Sequence, residues 1–200
     1  AGLSFGSTFE RDALLHQVLE ALTHELNYNS AMVSMFDPCE NTIQHIRLIG
    51  APPEVETFAQ SCRFPITDRE GPEGTVVLQG RPLLVKDIEA IRHSLHPLNQ
   101  RLAELSGTKA LVVVPIKTKD RIWGMLTVDR SHNQSVTEDD LELMMTVASQ
   151  VSIALDNASA YQQIEEWNQG LEVKVKERTE ALERADRLRA QFLSHVSHEL

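Results

Sequence analysis

The sequence has few cysteines, no excess of positive charge and no long apolar run, and each absence excludes a class of protein. Its two cysteines, Cys39 and Cys62, lie far apart and near no histidine pair at the spacing of zinc ligands. A structural zinc site needs about four ligands, so we expect no metal site. Two reduced thiols are the ordinary expectation, a disulfide is unneeded, and a redox role for Cys62 stays open as an alternative.

Positive charge is also scarce. Lys and Arg number 19 against 29 Asp and Glu, which gives a net charge of −10 and argues against nucleic acid or an anionic membrane as a partner. No apolar run approaches the roughly 18 residues that span a bilayer, and the first residues do not resemble a signal peptide. The apolar fraction of 42% is enough for a core. We therefore expect a cytoplasmic protein with no membrane segment in this stretch.

Hydrophobic periodicity predicts a mixture of helices and strands followed by one long helix. Helices are predicted at 8–26, 54–60, 75–79 and 88–105, the last of them broken by Pro97. Strands are predicted at 30–36, 42–49, 62–66, 82–85, 110–117 and 122–129. The long helix is predicted to start near Asp139, with Thr137 as its N-cap and Asp140 completing a box-like arrangement.

The strand at 122–129 alternates in a way that predicts two different faces. One face is expected to carry Trp123, Met125, Thr127 and Asp129, and the other Ile122, Leu126 and Val128.

Two stretches of sequence resemble a known family. One runs from Ala110-Leu-Val-Val-Val-Pro-Ile through a turn to Trp123-Gly124-Met-Leu-Thr-Val-Asp129 and Thr137-Glu-Asp-Asp-Leu, and the other comprises Gly71-Pro-Glu-Gly74, Gly80-Arg-Pro-Leu-Leu-Val and Asp87. With the order of the elements, they resemble a GAF domain over about residues 8–160. The resemblance implies an α+β fold with an antiparallel sheet of about six strands. The first and last helices would cover one face, and short helices and loops would enclose a ligand pocket on the other.

The sequence leaves the ligand of that pocket unassigned. It lacks the Asn-Lys-x-Phe-x-x-x-Asp-Glu pattern of cyclic-nucleotide-binding relatives, and it lacks the cysteine after the third strand that bilin-binding relatives need. Relatives that reduce free methionine sulfoxide use three cysteines, whereas this chain has two. His93 and His96 are candidate haem ligands, with two surface histidines on a short helix as the ordinary alternative.

The long helix carries a heptad repeat that predicts a parallel two-stranded coiled coil. With Leu171 at position d, the seam continues through Val175, Arg178, Leu182, Ala185, Arg189, Phe192, Val196 and Glu199. An upstream row, Met144, Val147, Val151, Ala154, Ala158 and Tyr161, is out of phase with that seam, which corresponds to a stammer. Two explanations stay open: an ordinary junction between a domain helix and a coiled coil, or a bistable joint around Trp167 and Gly170 that ligand state would twist.

The last residues, Phe192-Leu-Ser-His-Val-Ser-His198-Glu199-Leu200, resemble the phosphoacceptor motif of sensor histidine kinases. The resemblance implies that His198 receives phosphate and that Glu199 orients or deprotonates its imidazole. His198 falls at heptad position c, away from the seam, where a separate ATP-binding domain could reach it. The expected organisation is a GAF sensor domain at 1–160, a coiled-coil signalling linker at 161–190, and the truncated start of a dimerisation and phosphoacceptor helix at 191–200.

These resemblances imply the regulatory half of a two-component sensor histidine kinase. The full-length protein would be an ATP-dependent enzyme and a homodimer, and it would pass phosphate from His198 to the receiver domain of a response regulator. The fragment lacks an ATP-binding domain and is expected to be inactive alone. The alternative is a GAF module that serves only as a dimerisation scaffold, and a stand-alone GAF enzyme is disfavoured by the cysteine count and the long helix.

Overall fold

An antiparallel sheet of six strands organises the first part of the chain. The computed structural model describes residues 4–119, 121–130 and 135–198. The helices are α1 (Ser4–His24), α2 (Pro53–Ser61), α3 (Pro72–Val77), α4 (Ile88–Ile91), α5 (Pro97–Ser106) and α6 (Glu138–His198), with a 3₁₀ turn at Arg92–Ser94. The strands are β1 (Ser30–Asp37), β2 (Thr42–Ile49), β3 (Phe64–Pro65), β4 (Leu83–Val85), β5 (Ala110–Lys117) and β6 (Ile122–Arg130).

The strands lie in the order β3-β2-β1-β6-β5-β4, and every neighbouring pair is antiparallel. This confirms the predicted sheet. The chain divides into two compact units, Ala1–Asp156 and Asn157–Leu200. No helix in the described part of the chain is both long enough and apolar enough to cross a membrane.

Helices α1 and α6 cover one face of the sheet, as predicted. Their apolar side chains form a core with the inward residues of β1, β5 and β6, which include Val33, Val112, Leu126 and Val128. Helix α1 contributes Leu15, Leu19 and Leu22, and α6 contributes Met144, Ala148, Val151 and Leu155. Both sets recur every three or four residues, so each helix turns one apolar stripe toward the sheet.

The opposite face of the sheet carries α2, α3 and α5. A second core joins Val55 and Ala59 of α2, Val76 and Val77 of α3 and Leu102 of α5 to strand residues such as Met125. Helix α3 begins at Pro72, three residues before the helix predicted at 75–79. A side chain at position 74 would overlap the backbone oxygen of Asp68, so a glycine there allows the turn before α3 to pack closely.

A β-bulge in β6 changes which side chains of the strand lie on each face of the sheet, compared with the predicted alternation. The pairing of β5 with β6 joins Ile116 to Gly124 and Lys117 to Ile122, which leaves Trp123 as an extra residue. Trp123 therefore packs on the α6 face, and its Nε1 donates a hydrogen bond to Asp156 Oδ1 at 2.6 Å. Ile122 packs with Met125 on the other face. The predicted faces of Trp123 and Ile122 were wrong because strict alternation does not survive an inserted residue.

The start of α6 is held by a buried carboxylate. Asp140 Oδ2 accepts from the Thr137 backbone N at 2.8 Å, and Thr137 Oγ1 accepts from Asp140 N at 3.2 Å, which confirms the predicted reciprocal cap. Asp140 Oδ1 also accepts from the Tyr28 hydroxyl at 2.6 Å and from Arg130 Nη2 at 2.9 Å. This carboxylate therefore ties the first turn of α6 to the beginning of β1 and the end of β6.

These hydrogen bonds shift the acidity of the cluster. Burial alone would raise the pKa of Asp140, but the donors on Tyr28, Arg130 and Thr137 outweigh it and lower the pKa to about 2. Burial and the neighbouring carboxylate raise the pKa of Tyr28. Since the folded pKa of Asp140 lies below its unfolded value, its stabilisation is present above about pH 4 and is lost as the pH falls toward 2.

We expect Asp140→Asn to lower the free energy of unfolding at pH 7 by about 2 kcal/mol, because the amide has one acceptor oxygen where the carboxylate has two and carries no charge for Arg130. The loss should shrink as the pH falls from 4 to 2. Urea unfolding across this range measures both effects. Asp139→Asn is the matched control, since Asp139 is an exposed acid in the same helical turn. Equal losses in the two variants would show that the helix dipole, and not the cluster, is responsible.

Candidate functional site

A cavity lies on the face of the sheet opposite α1 and α6. Its floor is formed by strand residues, among them Met32, Val113 and Met125, and its walls come from α3, α4, α5 and their connections. Its volume is about 80 Å³, which would hold several water molecules or a compact ligand. Most of the lining is apolar, with a few polar groups at defined points, which is the usual composition of a small-molecule site.

Asp129 is one of those polar groups. It is 4% exposed, and its Oδ1 accepts from Ser30 N at 2.7 Å and from Ser30 Oγ at 2.8 Å. Its Oδ2 accepts from Thr108 Oγ1 at 2.8 Å. Burial raises the pKa of Asp129, while the hydrogen bonds from Ser30 and Thr108 act in the opposite direction. Asp129 thus joins the ends of β1 and β6 to the segment before β5 at one end of the cavity.

Glu73 is a second buried carboxylate in the lining, 8% exposed. Its Oε1 accepts from the backbone N of His96 at 2.9 Å and from Asn99 Nδ2 at 2.7 Å. Asn99 also lines the cavity, and its Oδ1 is buried without a hydrogen-bond partner. A buried acceptor without a partner costs free energy. The Oδ1 atom of Asn99 can therefore accept a hydrogen bond from a molecule in the cavity.

The two candidate haem ligands lie in different elements. His93 is exposed in the 3₁₀ turn, whereas His96 is the N-cap of α5, and its Nδ1 accepts from Leu98 N at 3.3 Å. The His96 ring stacks on Phe64 with centroids 4.1 Å apart, and burial lowers its pKa against the opposing effect of Glu73. The two histidines do not lie on one helix, because Pro97 starts α5 directly after His96. Within the described residues, no group of three or more His, Cys, Asp or Glu could hold a metal ion.

The two cysteines have different surroundings. Cys39 is exposed in the turn between β1 and β2, whereas Cys62 is buried in the core beside α2. The Cys62 Sγ donates to the Phe58 carbonyl at 3.3 Å, and burial raises the pKa of this thiol. A buried thiol with a raised pKa has little reactive thiolate, so the structure favours a packed core residue over a redox sensor at Cys62.

The exposed side of α6 carries a heptad row that differs from the row facing the core. Met144 and Val151 of the predicted upstream row are buried against the sheet, whereas Tyr161 of the same row is 74% exposed. Counting back from Leu171 in steps of seven gives Ile164, Asn157, Gln150 and Leu143, all of them exposed. Two of these four residues are apolar and two are polar. The stammer and the choice between an ordinary junction and a bistable joint stay predictions.

The predicted phosphoacceptor segment lies at the limit of the described chain. Helix α6 ends at His198, and Glu199 lies outside the described residues. The assignment of phosphoacceptor and base roles to His198 and Glu199 therefore stays a prediction.

Sequence reasoning did not single out Glu73, Asn99 or Asp129 as residues of the cavity. The signal for Asp129 was available, since it was predicted to share a strand face with Met125 and Thr127, and a carboxylate on an apolar face is unusual. Glu73 gave no such signal, because the stretch around it had the composition of a loop.

The order of the strands and the helices on both faces of the sheet are those expected of a GAF domain. The profile of the GAF domain family matches residues 10–155, which is most of the chain, and the chain therefore belongs to this family.

The chain is similar to part of two curated histidine kinases. The chain is 31% identical over 130 residues to the circadian input-output histidine kinase CikA of Thermosynechococcus vestitus, a match that covers 61% of this chain and 18% of that protein. It is 30% identical over 189 residues to CikA of Synechococcus elongatus, covering 90% of this chain and 22% of that protein. The chain thus spans about a fifth of the length of these relatives.

Solved structures show the same fold. A methyl-accepting chemotaxis protein fragment (residues 122 to 287) has a TM-score of 0.62 at 21% identity, covering 76% of this chain and 92% of that one. The red/green cyanobacteriochrome NpR6012g4 in its red light-absorbing state has a TM-score of 0.62 at 20% identity, covering 76% of this chain and 98% of that one. These likenesses establish the architecture alone.

We expect a thiol reagent such as iodoacetamide to label Cys39 rapidly in the folded protein and Cys62 only after unfolding, because the buried thiol is both inaccessible and more difficult to ionise. Mass spectrometry of the labelled protein measures this. Cys39→Ser is the control, since it leaves Cys62 as the only thiol. Fast labelling of the folded Cys39→Ser protein would restore the redox interpretation of Cys62.

Proposed function

We propose that this chain is the regulatory part of a cytoplasmic sensor histidine kinase, in which the GAF domain binds a small molecule and α6 relays its state to His198. The observation that carries the proposal is the match to CikA of S. elongatus over 90% of this chain. A match of that length must extend past residue 155, where the GAF family match ends, into the C-terminal helix. The similarity to a histidine kinase therefore includes part of α6 beyond the GAF family match.

The exposed side of α6 supports dimerisation with a second copy of the chain. In the unit after Asp156, the heptad positions Ile164, Leu171, Val175 and Leu182 are apolar and between 51% and 66% exposed. Such large apolar side chains are normally covered when they recur at a and d positions. Asn168 and Arg178 interrupt the row, which favours a coiled coil of moderate strength with a defined register.

In the proposed mechanism, a helix pair carries the signal and an ATP-binding domain elsewhere in the full-length protein supplies phosphate. The imidazole nitrogen of His198 attacks the γ-phosphorus of ATP, the bond from that phosphorus to the β,γ-bridging oxygen breaks and ADP leaves, while Glu199 orients the ring or accepts its proton. The phosphoryl group then passes to an aspartate in the receiver domain of a response regulator. His198 is the last residue of α6, and its role as phosphoacceptor belongs to the proposal.

A dimerisation scaffold without a small ligand is the second candidate function. It is favoured by the small volume of the cavity, about 80 Å³. Native mass spectrometry and an absorption spectrum of the protein purified from cells would separate the two functions. Excess mass on the dimer, or a visible band, would identify a bound molecule, and a colourless dimer of bare mass would favour the scaffold.

We expect Val175→Lys to weaken self-association of this chain by about tenfold or more, because a lysine at position a places two charges in the seam. Sedimentation equilibrium measures the dissociation constant. Val173→Lys is the matched control: Val173 is 58% exposed and Val175 63%, but Val173 falls at position f, away from the seam. If both substitutions weaken association equally, the proposed seam is wrong.

In the longer natural protein that the proposal requires, His198→Gln should abolish phosphate incorporation from ATP. His195→Gln, three residues earlier on the same helix, should leave incorporation intact and serves as the control. Glu199→Gln should slow incorporation by about a hundredfold or more if the carboxylate assists the imidazole. Labelling with radioactive ATP, followed by acid- and base-stability tests for phosphohistidine, measures all three. Persistence of phosphohistidine in His198→Gln would refute the assignment.

A further inference from the structure

Three polar groups in the lining of the cavity can accept a further hydrogen bond: the amide oxygen of Asn99 and the carboxylates of Glu73 and Asp129. We propose that the ligand of this GAF pocket is a compact molecule with an apolar or aromatic body and a positively charged head that only donates hydrogen bonds, such as an amidinium, guanidinium or ammonium group. This inference rests on the proposed sensor function, and it names the chemical class of molecule that the sensor detects.

Asn99 provides the first step. Its Nδ2 donates to Glu73 Oε1 at 2.7 Å, and this bond fixes the orientation of the amide, because a carboxylate can only accept. The Oδ1 atom is then left buried without a partner in the wall of the cavity. Only a donor can satisfy it, so the ligand must present an N–H or O–H group near Asn99.

The charge of the lining provides the second step. Glu73 and Asp129 both line the cavity and are 8% and 4% exposed. Among the described residues that line the cavity there is no lysine, arginine or histidine. Water screens buried charges poorly, so the cavity repels an anionic ligand such as a phosphate ester or a carboxylic acid and attracts a cation.

The carboxylates of Glu73 and Asp129 can accept more hydrogen bonds than the protein supplies. The hydrogen bonds found at Glu73 occupy Oε1 alone, and those at Asp129 come from Ser30 and Thr108. An ionised carboxylate offers about four acceptor sites, so each carboxylate can still accept from a ligand. Planar donor groups such as an amidinium match this acceptor-rich arrangement.

The apolar part of the cavity lining determines which kind of ligand body the cavity can bind. Apolar side chains cover the sheet side and the helix side, including Leu83, Ile88, Leu102 and Val113. They offer no partners for a polar ligand body, whose burial would be costly. An aromatic ring or a short hydrocarbon therefore suits the space between the acidic groups.

Three nearly isosteric probes test the proposal: benzamidine, benzamide and benzoate, which carry a positive, zero and negative charge on the same planar frame. Binding to the protein is measured by isothermal titration calorimetry and by ¹H–¹⁵N spectra of the cavity residues. We expect benzamidine to bind at least about tenfold more tightly than benzoate, with benzamide between them. Equal or tighter binding of benzoate overturns the proposal, and so does failure of all three probes to perturb cavity residues at millimolar concentration.

Glu73→Gln is the decisive variant, because its amide oxygen still accepts from His96 and Asn99 while the charge is removed. It should keep the melting temperature of the parent and lose most of the preference for benzamidine over benzoate. Glu70→Gln, at an exposed acid outside the cavity, is the control and should keep the preference. If Glu73→Gln unfolds, Asp129→Asn removes the other charge and should reduce the preference in the same way. An unchanged preference in the folded variant refutes the role of these carboxylates.

The binding experiments test the chemical class of the ligand, and phosphorylation of His198 tests the proposed kinase function, so each proposal can fail without the other. If the probes show no cation preference but phosphorylation of His198 in the full-length protein still responds to some other small molecule, the ligand class is wrong and the sensor function stands. If benzamidine binds as expected while His198 is never phosphorylated, the pocket chemistry stands and the kinase assignment fails.

Discussion

The position of α6 depends on the carboxylate of Asp140. Four hydrogen bonds, from Tyr28, Arg130 and two atoms of Thr137, converge on this group and join the first turn of the helix to the sheet. A helix anchored at its first turn has a fixed rotation, because each later residue advances by about 100°. The anchor therefore decides which side of the first turns of α6 packs on the sheet and which side is exposed.

The same rotation assigns neighbouring apolar residues of α6 to different sides of the helix. Met144 and Val151 are buried against the sheet, whereas Leu143 is exposed. Periodicity alone cannot distinguish an apolar side chain that is buried by its own domain from one that is exposed. The burial of Met144 and Val151 assigns these two residues of the predicted upstream row to the domain core.

Much of the fold could be predicted from the sequence because the strands, their hairpins and the capped helix have strong local signals. Thr137 and Asp140 formed the reciprocal cap that their spacing predicted. The polar residues of the cavity were more difficult to predict from the sequence. Its polar groups Glu73 and Asn99 meet through tertiary contacts between α3 and α5, which no local pattern records, and the bulge at Trp123 reversed a strand face through one inserted residue.

The bulged strand β6 is one of the strands that carry residues on both faces of the sheet. Its residues Met125, Thr127 and Asp129 line the cavity, whereas Trp123, Leu126 and Val128 pack on the side of α6. Trp123 reaches Asp156 on α6 directly. A molecule in the cavity can change the state of α6 only to the extent that it binds two arrangements of these residues with different affinity. Because one strand supplies both the floor of the cavity and a packing surface for α6, a ligand that displaces Asp129 or Met125 acts on the same backbone that carries Trp123.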